Sequence, residues 1–216
     1  MKTLLLTGFE PFLDHPFNPT EYIATKLNGK VIGGYEVKGR VLPVEYGRSA
    51  NELISRYEEL QPDAVIMLGL AAGRNRITPE RVAINVNDGP IDNRGEEMSD
   101  KPIINGGPAA FFSTLPVRKF VKILNKRGIP AELSNTAGAY LCNNVMYSML
   151  HHLEKSKLDI PAGFIHVPPS YELAVNDRSI SGWPKETLLN AIEVVIDSLD
   201  KKITGDEQKW KNYMTD

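Results

Sequence analysis

Two kinds of hydrophobic pattern alternate along the chain. Thr3–Thr7 carries Leu4-Leu5-Leu6 in unbroken series and stops at Gly8; Asp63–Leu68 carries Ala64-Val65-Ile66-Met67-Leu68 and stops at Gly69. Apolar runs this short, closed by glycine, predict strands buried on both faces. Tyr35–Leu42 mixes Val37 and Val41 with Lys38 and Arg40 and predicts a less buried strand. Arg81–Asn87 alternates strictly, with Val82, Ile84 and Val86 on one face. Ala131–Ser134 and Ala162–Val167 complete the strands, the second stopped by Pro168-Pro169.

Between these runs the apolar residues recur at helical spacing. Tyr46–Leu60 shows Ala50, Leu53, Ile54, Tyr57 and Leu60; a stretch opened by Pro116 and closed by Gly128 shows Val117, Phe120, Val121 and Leu124. Further helices are predicted from about Tyr140 to Lys155 and from Pro184 to about Lys202, the last on Leu188, Ile192, Val195, Ile196 and Leu199. Residues 88–107, rich in Gly, Asp, Asn and Pro, predict a long irregular loop, and loops of that length commonly carry function. Alternation of buried strands with amphipathic helices predicts an α/β fold: a three-layer α/β/α sandwich around a mostly parallel, mixed, twisted sheet. One domain is expected over residues 1–216, with a polar tail from Gly205 that frays.

Composition adds exclusions. The 216 residues are 42% hydrophobic and 24% charged, and a chain of this size buries roughly 70% of its extended surface, enough for a core without staples. A net charge of −2 offers no footprint for nucleic acid or an anionic membrane. The run Leu4-Leu5-Leu6 falls short of the roughly 7–15 apolar residues of a secretory signal, and no window reaches the roughly 18–20 of a membrane span. The expected setting is the cytoplasm. The single cysteine excludes an intramolecular disulfide and a cysteine-based metal cluster.

That cysteine is also the first candidate for chemistry. Cys142 follows a strand and a Gly-containing turn and falls in the first turn of a helix, where unpaired N–H groups and the positive dipole end favour thiolate. It also continues the apolar stripe of Val145, Met146, Met149, Leu150 and Leu153, so an inert core thiol fits equally. His166 ends a buried strand, at the carboxyl edge where open α/β sheets gather functional groups. His15 is a rival base; His151 and His152 lie roughly 13–15 Å along the helix from Cys142, too far to reach it. Glu80 is a candidate to orient an imidazole, although a surface pairing with Arg81 is open to it, and Glu10, Asp88 and Asp92 are rival acids. Arg74 or Arg81 could add positive potential. Gly69–Gly73 with Arg74 lacks either glycine-rich phosphate pattern. The bare residues also fit a thiol-sensing α/β module or, on fold layout alone, a purine-nucleoside-phosphorylase-like enzyme.

Five segments together are specific. Gly8-Phe9-Glu10-Pro11-Phe12, Asn18-Pro19-Thr20, Glu80–Asn85, Ser134–Asn143 and Gly163–Pro168 resemble, in order, the pyroglutamyl peptidase type I (pyrrolidone-carboxylate peptidase) family. The resemblance implies a cytosolic cysteine peptidase that removes an N-terminal 5-oxoprolyl residue from peptides, without metal or organic cofactor, as a homotetramer or homodimer. It implies Cys142 as nucleophile, His166 as general base and then acid, and Glu80 as orienting carboxylate. Phe9 and Phe12 match the pocket aromatics, Ile91, Tyr140 and Leu141 further walls, and Asn18 a polar contact to the lactam. Leu70 stands where some relatives have glutamine.

Overall fold

A computed structural model describes residues 1–13, 15–175 and 177–200. Six strands form one sheet: β1 (Lys2–Phe9), β2 (Val31–Ile32), β3 (Tyr35–Leu42), β4 (Ala64–Leu70), β5 (Thr78–Pro79) and, last in the chain, β10 (Ala162–Val167). Their spatial order is β2-β3-β1-β4-β10-β5. The inner four run parallel, and the short β2 and β5 add antiparallel edges. All seven residues of β4 and all six of β10 are buried, which is why β4 reads as an unbroken apolar run and β10 as one interrupted only by His166.

Alternation along the strands sorts the core into two layers. Leu4, Leu6, Ile66, Leu68, Ile165 and Val167 face α1 (Pro19–Leu27), α3 (Val117–Lys126) and α6 (Lys185–Ser198). Leu5, Val65, Met67, Ala162 and Phe164 face α2 (Arg48–Leu60) and α4 (Leu141–Lys155). The three-layer sandwich is therefore present as expected. A single-turn α5 (Tyr171–Ala174) follows β10.

Several elements differ from the pattern-based expectation. α1 carries a start signal that the periodicity alone did not expose: Asn18 caps it by accepting from the Thr20 N–H at 3.0 Å, and Pro19 is its first residue. The strand expected over 81–87 divides into β6 (Val82–Ile84) and β7 (Asn87–Gly89), because each half finds a different antiparallel partner. β6 pairs with β9 (Ala110–Phe112), and β7 pairs with β8 (Met98–Lys101). Residues 88–107 are thus partly ordered by a ribbon whose backbone groups satisfy one another, rather than irregular throughout. Ala131 and Ser134 make only isolated bridges, to Ile77 and Glu80, so that segment is no regular strand. The second helix begins at Arg48 instead of Tyr46. The expected tail from Gly205, and the end of the helix drawn to Lys202, lie outside the described residues. Among those residues no helix is long and apolar enough to cross a membrane.

Candidate active site

The carboxyl ends of β4 and β10 lie side by side, with Gly69 opposite His166 in the parallel register. α4 delivers Cys142 to the same place. A turn over residues 134–140 launches that helix; Gly138 takes φ +79° there, a left-handed conformation that glycine adopts without a Cβ clash. Cys142 is the second helical residue, so it lies among N–H groups that have no carbonyl one turn earlier. Its sulfur fills the space a side chain would need on Gly69: a Cβ there would stand 2.8 Å from Sγ and 2.6 Å from the Phe164 ring. Glycine at 69 is what lets the thiol lie directly over the strand that carries His166 as its neighbour.

Glu80 arrives from the opposite edge of the sheet. β5 pairs antiparallel with β10, His166 opposite Thr78, and the Glu80 N–H donates to the Phe164 carbonyl at 2.9 Å. The carboxylate is fully buried, and its Oε1 lies 2.7 Å from His166 Nδ1. It is therefore not the surface acid that its place beside Arg81 allowed. With a carboxylate at Nδ1 the imidazole keeps its proton on that nitrogen, which leaves Nε2 with a lone pair. Arg74 also donates to Oε1, at 2.5 Å.

Burial dominates the electrostatics. It pushes the Cys142 thiol up to about 12, with Glu80 adding to the rise and Arg74 opposing it. It lowers His166 below its ordinary value, against the raising effect of the Glu80 hydrogen bond. Both shifts disfavour the charged forms, thiolate and imidazolium, in the resting site. The helix N-terminus alone favours thiolate, but the low-dielectric surroundings outweigh it.

Beside the sulfur, a pocket enclosing about 250 Å³ including its mouth is lined by Phe9, Phe12, Asn18, Val44, Leu70, Tyr140, Leu141 and Cys142. That is smaller than a site for a drug-sized ligand and suits a single small ring. The Tyr140 hydroxyl is engaged by the Ile91 carbonyl, and Asn18 is the one amide among the lining residues. Its Oδ1 accepts from the Thr20 N–H and hydroxyl, and its Nδ2 donates one hydrogen to the Glu10 carbonyl at 3.0 Å. An amide carries two such hydrogens, so one donor is left for a ligand.

Of the residues singled out in the sequence, Phe9, Phe12, Asn18, Tyr140, Leu141 and Cys142 line this pocket; His166 and Glu80 do not, and pair with each other at the end of β10, the strand beside Gly69. Ile91 does not line it: the side chain is 52% exposed, and it is the backbone carbonyl that matters, accepting from the Tyr140 hydroxyl at 3.3 Å. Val44 was missed. Its place just beyond the carboxyl end of β3 was the available signal, since ligands gather outside strand ends. Gly69 was likewise passed over as part of this site, and Arg74, expected only to add positive potential, bonds Glu80 directly. The rival groups have other partners. His15 stands edge-on to Phe12 with centroids 5.5 Å apart, Glu10 accepts from the Val44 N–H and from Asn93, and Asp92 accepts from the N–H groups of Tyr46, Arg94 and Glu96. Among the described residues no group of three His, Cys, Asp or Glu is arranged to hold a metal ion.

Comparison with known proteins adds independent information. A family model described as pyroglutamyl peptidase matches residues 1–202. The pyrrolidone-carboxylate peptidase of Oceanobacillus iheyensis is 54% identical over 200 residues, covering 93% of this chain and 100% of the relative. That of Halalkalibacterium halodurans is 53% identical over 197 residues, covering 91% and 98%. Among solved structures, pyrrolidone carboxyl peptidase from the hyperthermophile Pyrococcus furiosus superposes with a TM-score of 0.88 at 45% identity, over 91% of this chain and 97% of that one.

Proposed function

The chain belongs to the pyroglutamyl peptidase family, cysteine peptidases that remove an N-terminal pyroglutamyl residue from peptides, and we propose that Cys142, His166 and Glu80 carry out that hydrolysis here. The observation that carries the assignment is the 2.7 Å hydrogen bond from His166 to the buried Glu80, on the strand register that also seats the Cys142 sulfur against Gly69.

A pyroglutamyl residue has its α-amine tied up as a lactam, so its ring enters an apolar pocket with no charge to neutralise. Phe9, Phe12, Val44, Leu70, Tyr140 and Leu141 supply the walls. The free Nδ2 hydrogen of Asn18 donates to the ring carbonyl. His166 Nε2 then takes the thiol proton as Sγ attacks the acyl carbon, which generates the nucleophile only when it is used. The first N–H groups of α4 receive the developing oxyanion. His166 returns its proton to the departing amine, and the same imidazole activates the water that releases pyroglutamate. Glu80 holds the ring and stabilises its protonated form throughout.

The proposed setting is the cytoplasm, whose reducing conditions suit a lone nucleophilic thiol, and the proposed assembly is a homotetramer or homodimer. Exposed Phe112, 69% accessible on the β6–β9 ribbon, supports an assembly that covers it. Sedimentation of the purified chain tests the assembly. Turnover of a pyroglutamyl arylamide tests the chemistry: Cys142→Ala and His166→Ala should each abolish it, and either variant at near-parental rate would sink the assignment.

A further inference from the structure

Arg74 lies in the turn directly after β4, where its N–H donates to the Ala71 carbonyl at 2.9 Å. Its guanidinium makes three hydrogen bonds to three places. Nη1 donates to Thr78 Oγ1 at 2.7 Å and to Glu80 Oε1 at 2.5 Å, and Nη2 donates to the Thr136 carbonyl at 3.0 Å. Each acceptor belongs to a segment that positions a reacting group. Thr78 is the register partner of His166; Glu80 holds the imidazole; Thr136 sits in the turn that launches the Cys142 helix.

We propose that Arg74 is a positioning residue of this peptidase, whose planar fork holds Glu80, the β5 edge and the 134–140 turn in the one arrangement that aims His166 at Cys142. The inference rests on the Cys142–His166–Glu80 assignment above and adds a fourth member that acts through Glu80.

Geometry and charge both favour arginine at this place. Glu80 has no exposed surface, and its Oε2 has no hydrogen-bond partner among the described residues, so Oε1 carries every polar contact of that carboxylate. A buried carboxylate with one neutral partner would be costly; Arg74 gives it a cationic one, its side chain reaching in from a position still 29% exposed. A guanidinium spreads its donors over separate nitrogens of one rigid plane, as Arg74 does with Nη1 and Nη2, whereas an ammonium would have to bring a single nitrogen within reach of all three acceptors at once. The titratable and charged groups facing the imidazole are Glu80 and Arg74 from the loop side and Cys142 from α4. Arg74 opposes proton uptake by His166, so its removal has a sign that can be read.

The test compares Arg74→Met and Arg74→Lys with the parent enzyme on a pyroglutamyl arylamide, with melting curves to monitor folding. Arg74→Met should lose on the order of 100-fold in kcat, since small misplacements of reacting groups cost that much, while KM changes by less than about 3-fold. The acidic limb of kcat/KM should move to higher pH, because a cation that discouraged protonation of His166 is gone. Arg74→Lys should return the limb toward its parental position yet recover kcat only in part. Parental kcat in either variant overturns the proposal, as does a loss in Arg74→Met that appears in KM with the limb unmoved. If Arg74→Met does not fold, the kcat of Arg74→Lys decides. Failure of the triad itself would look different, since Cys142→Ala or His166→Ala would then turn over substrate.

Discussion

Asn143 and Ile84 are joined by a reciprocal pair of hydrogen bonds. The Asn143 side chain accepts from the Ile84 N–H at 2.9 Å and donates to the Ile84 carbonyl at 2.9 Å, and it donates again to Val86 at 2.9 Å. The residue next to Cys142 thus binds the β6–β7 junction to the start of α4 and is itself fully buried. Asn143→Ala should cost about 2–4 kcal/mol, because it removes a fully buried amide and all three of its hydrogen bonds to the backbone at once. Thermal unfolding measures the loss. A melting temperature equal to that of the parent would mean that water or a shifted backbone replaces the amide.

Gly69→Ala places a methyl group against the Cys142 sulfur and the Phe164 ring in a strand that has no free side to move toward. Overpacking of this kind typically costs about 1–3 kcal/mol, so the variant should fold. Displacement of the thiol should nevertheless lower kcat by on the order of 100-fold. Steady-state kinetics on folded protein check this; unchanged kcat would place the nucleophile elsewhere.

The resting thiol should be slow to alkylate. Since burial raises Cys142 to about 12, iodoacetamide should label it with a rate that keeps rising with pH through 9 and 10, where an ordinary thiol has already levelled off. A raised value means less thiolate at every pH below it, so the neutral-pH rate should lie below that of a free thiol. A plateau reached below pH 8 would instead indicate a preformed thiolate–imidazolium pair.

Asn18→Asp removes the Nδ2 donor while keeping an oxygen to cap α1. The new carboxylate oxygen is buried against the Glu10 carbonyl that Nδ2 had served, so the melting temperature should also fall, and the kinetics are read on the protein that remains folded. Loss of the Nδ2 donor leaves a bound lactam carbonyl without its partner, and kcat/KM for a pyroglutamyl arylamide should fall by roughly 10- to 100-fold, or about 1–3 kcal/mol. On the parent enzyme, a prolyl arylamide, which lacks that carbonyl, should be rejected by a comparable or larger factor. Equal turnover of the two substrates by the parent would remove Asn18 from recognition.

How much of this was legible beforehand differs from residue to residue. The unbroken series at Ala64–Leu68 and the short apolar run before His166 announced buried strands, because both faces of such strands meet helices. Cys142 and His166 were visible as candidates from their places after a turn and at a strand end. The ribbon of β7 and β8 was not legible, since pairing between Asn87–Gly89 and Met98–Lys101 follows from where the chain turns and leaves little hydrophobic pattern. Ile91 was drawn as a pocket wall, whereas its carbonyl, a group no side-chain pattern reports, is what touches Tyr140.

Periodicity and composition by themselves determined the α/β class, the alternation of layers and the presence of one thiol at a helix start, because each depends on local spacing along the chain. Ordered motifs carried the family resemblance. Tertiary structure decided the rest. It set Glu80 inside rather than outside, brought it within hydrogen-bond reach of His166 while His15 lies against Phe12, raised the Cys142 thiol by burial despite the helix dipole, and turned Arg74 from a loop cation into the tie between three segments. Burial and hydrogen-bond partnership are properties of groups far apart in sequence, 86 residues in the case of His166 and Glu80, and local spacing holds no record of them.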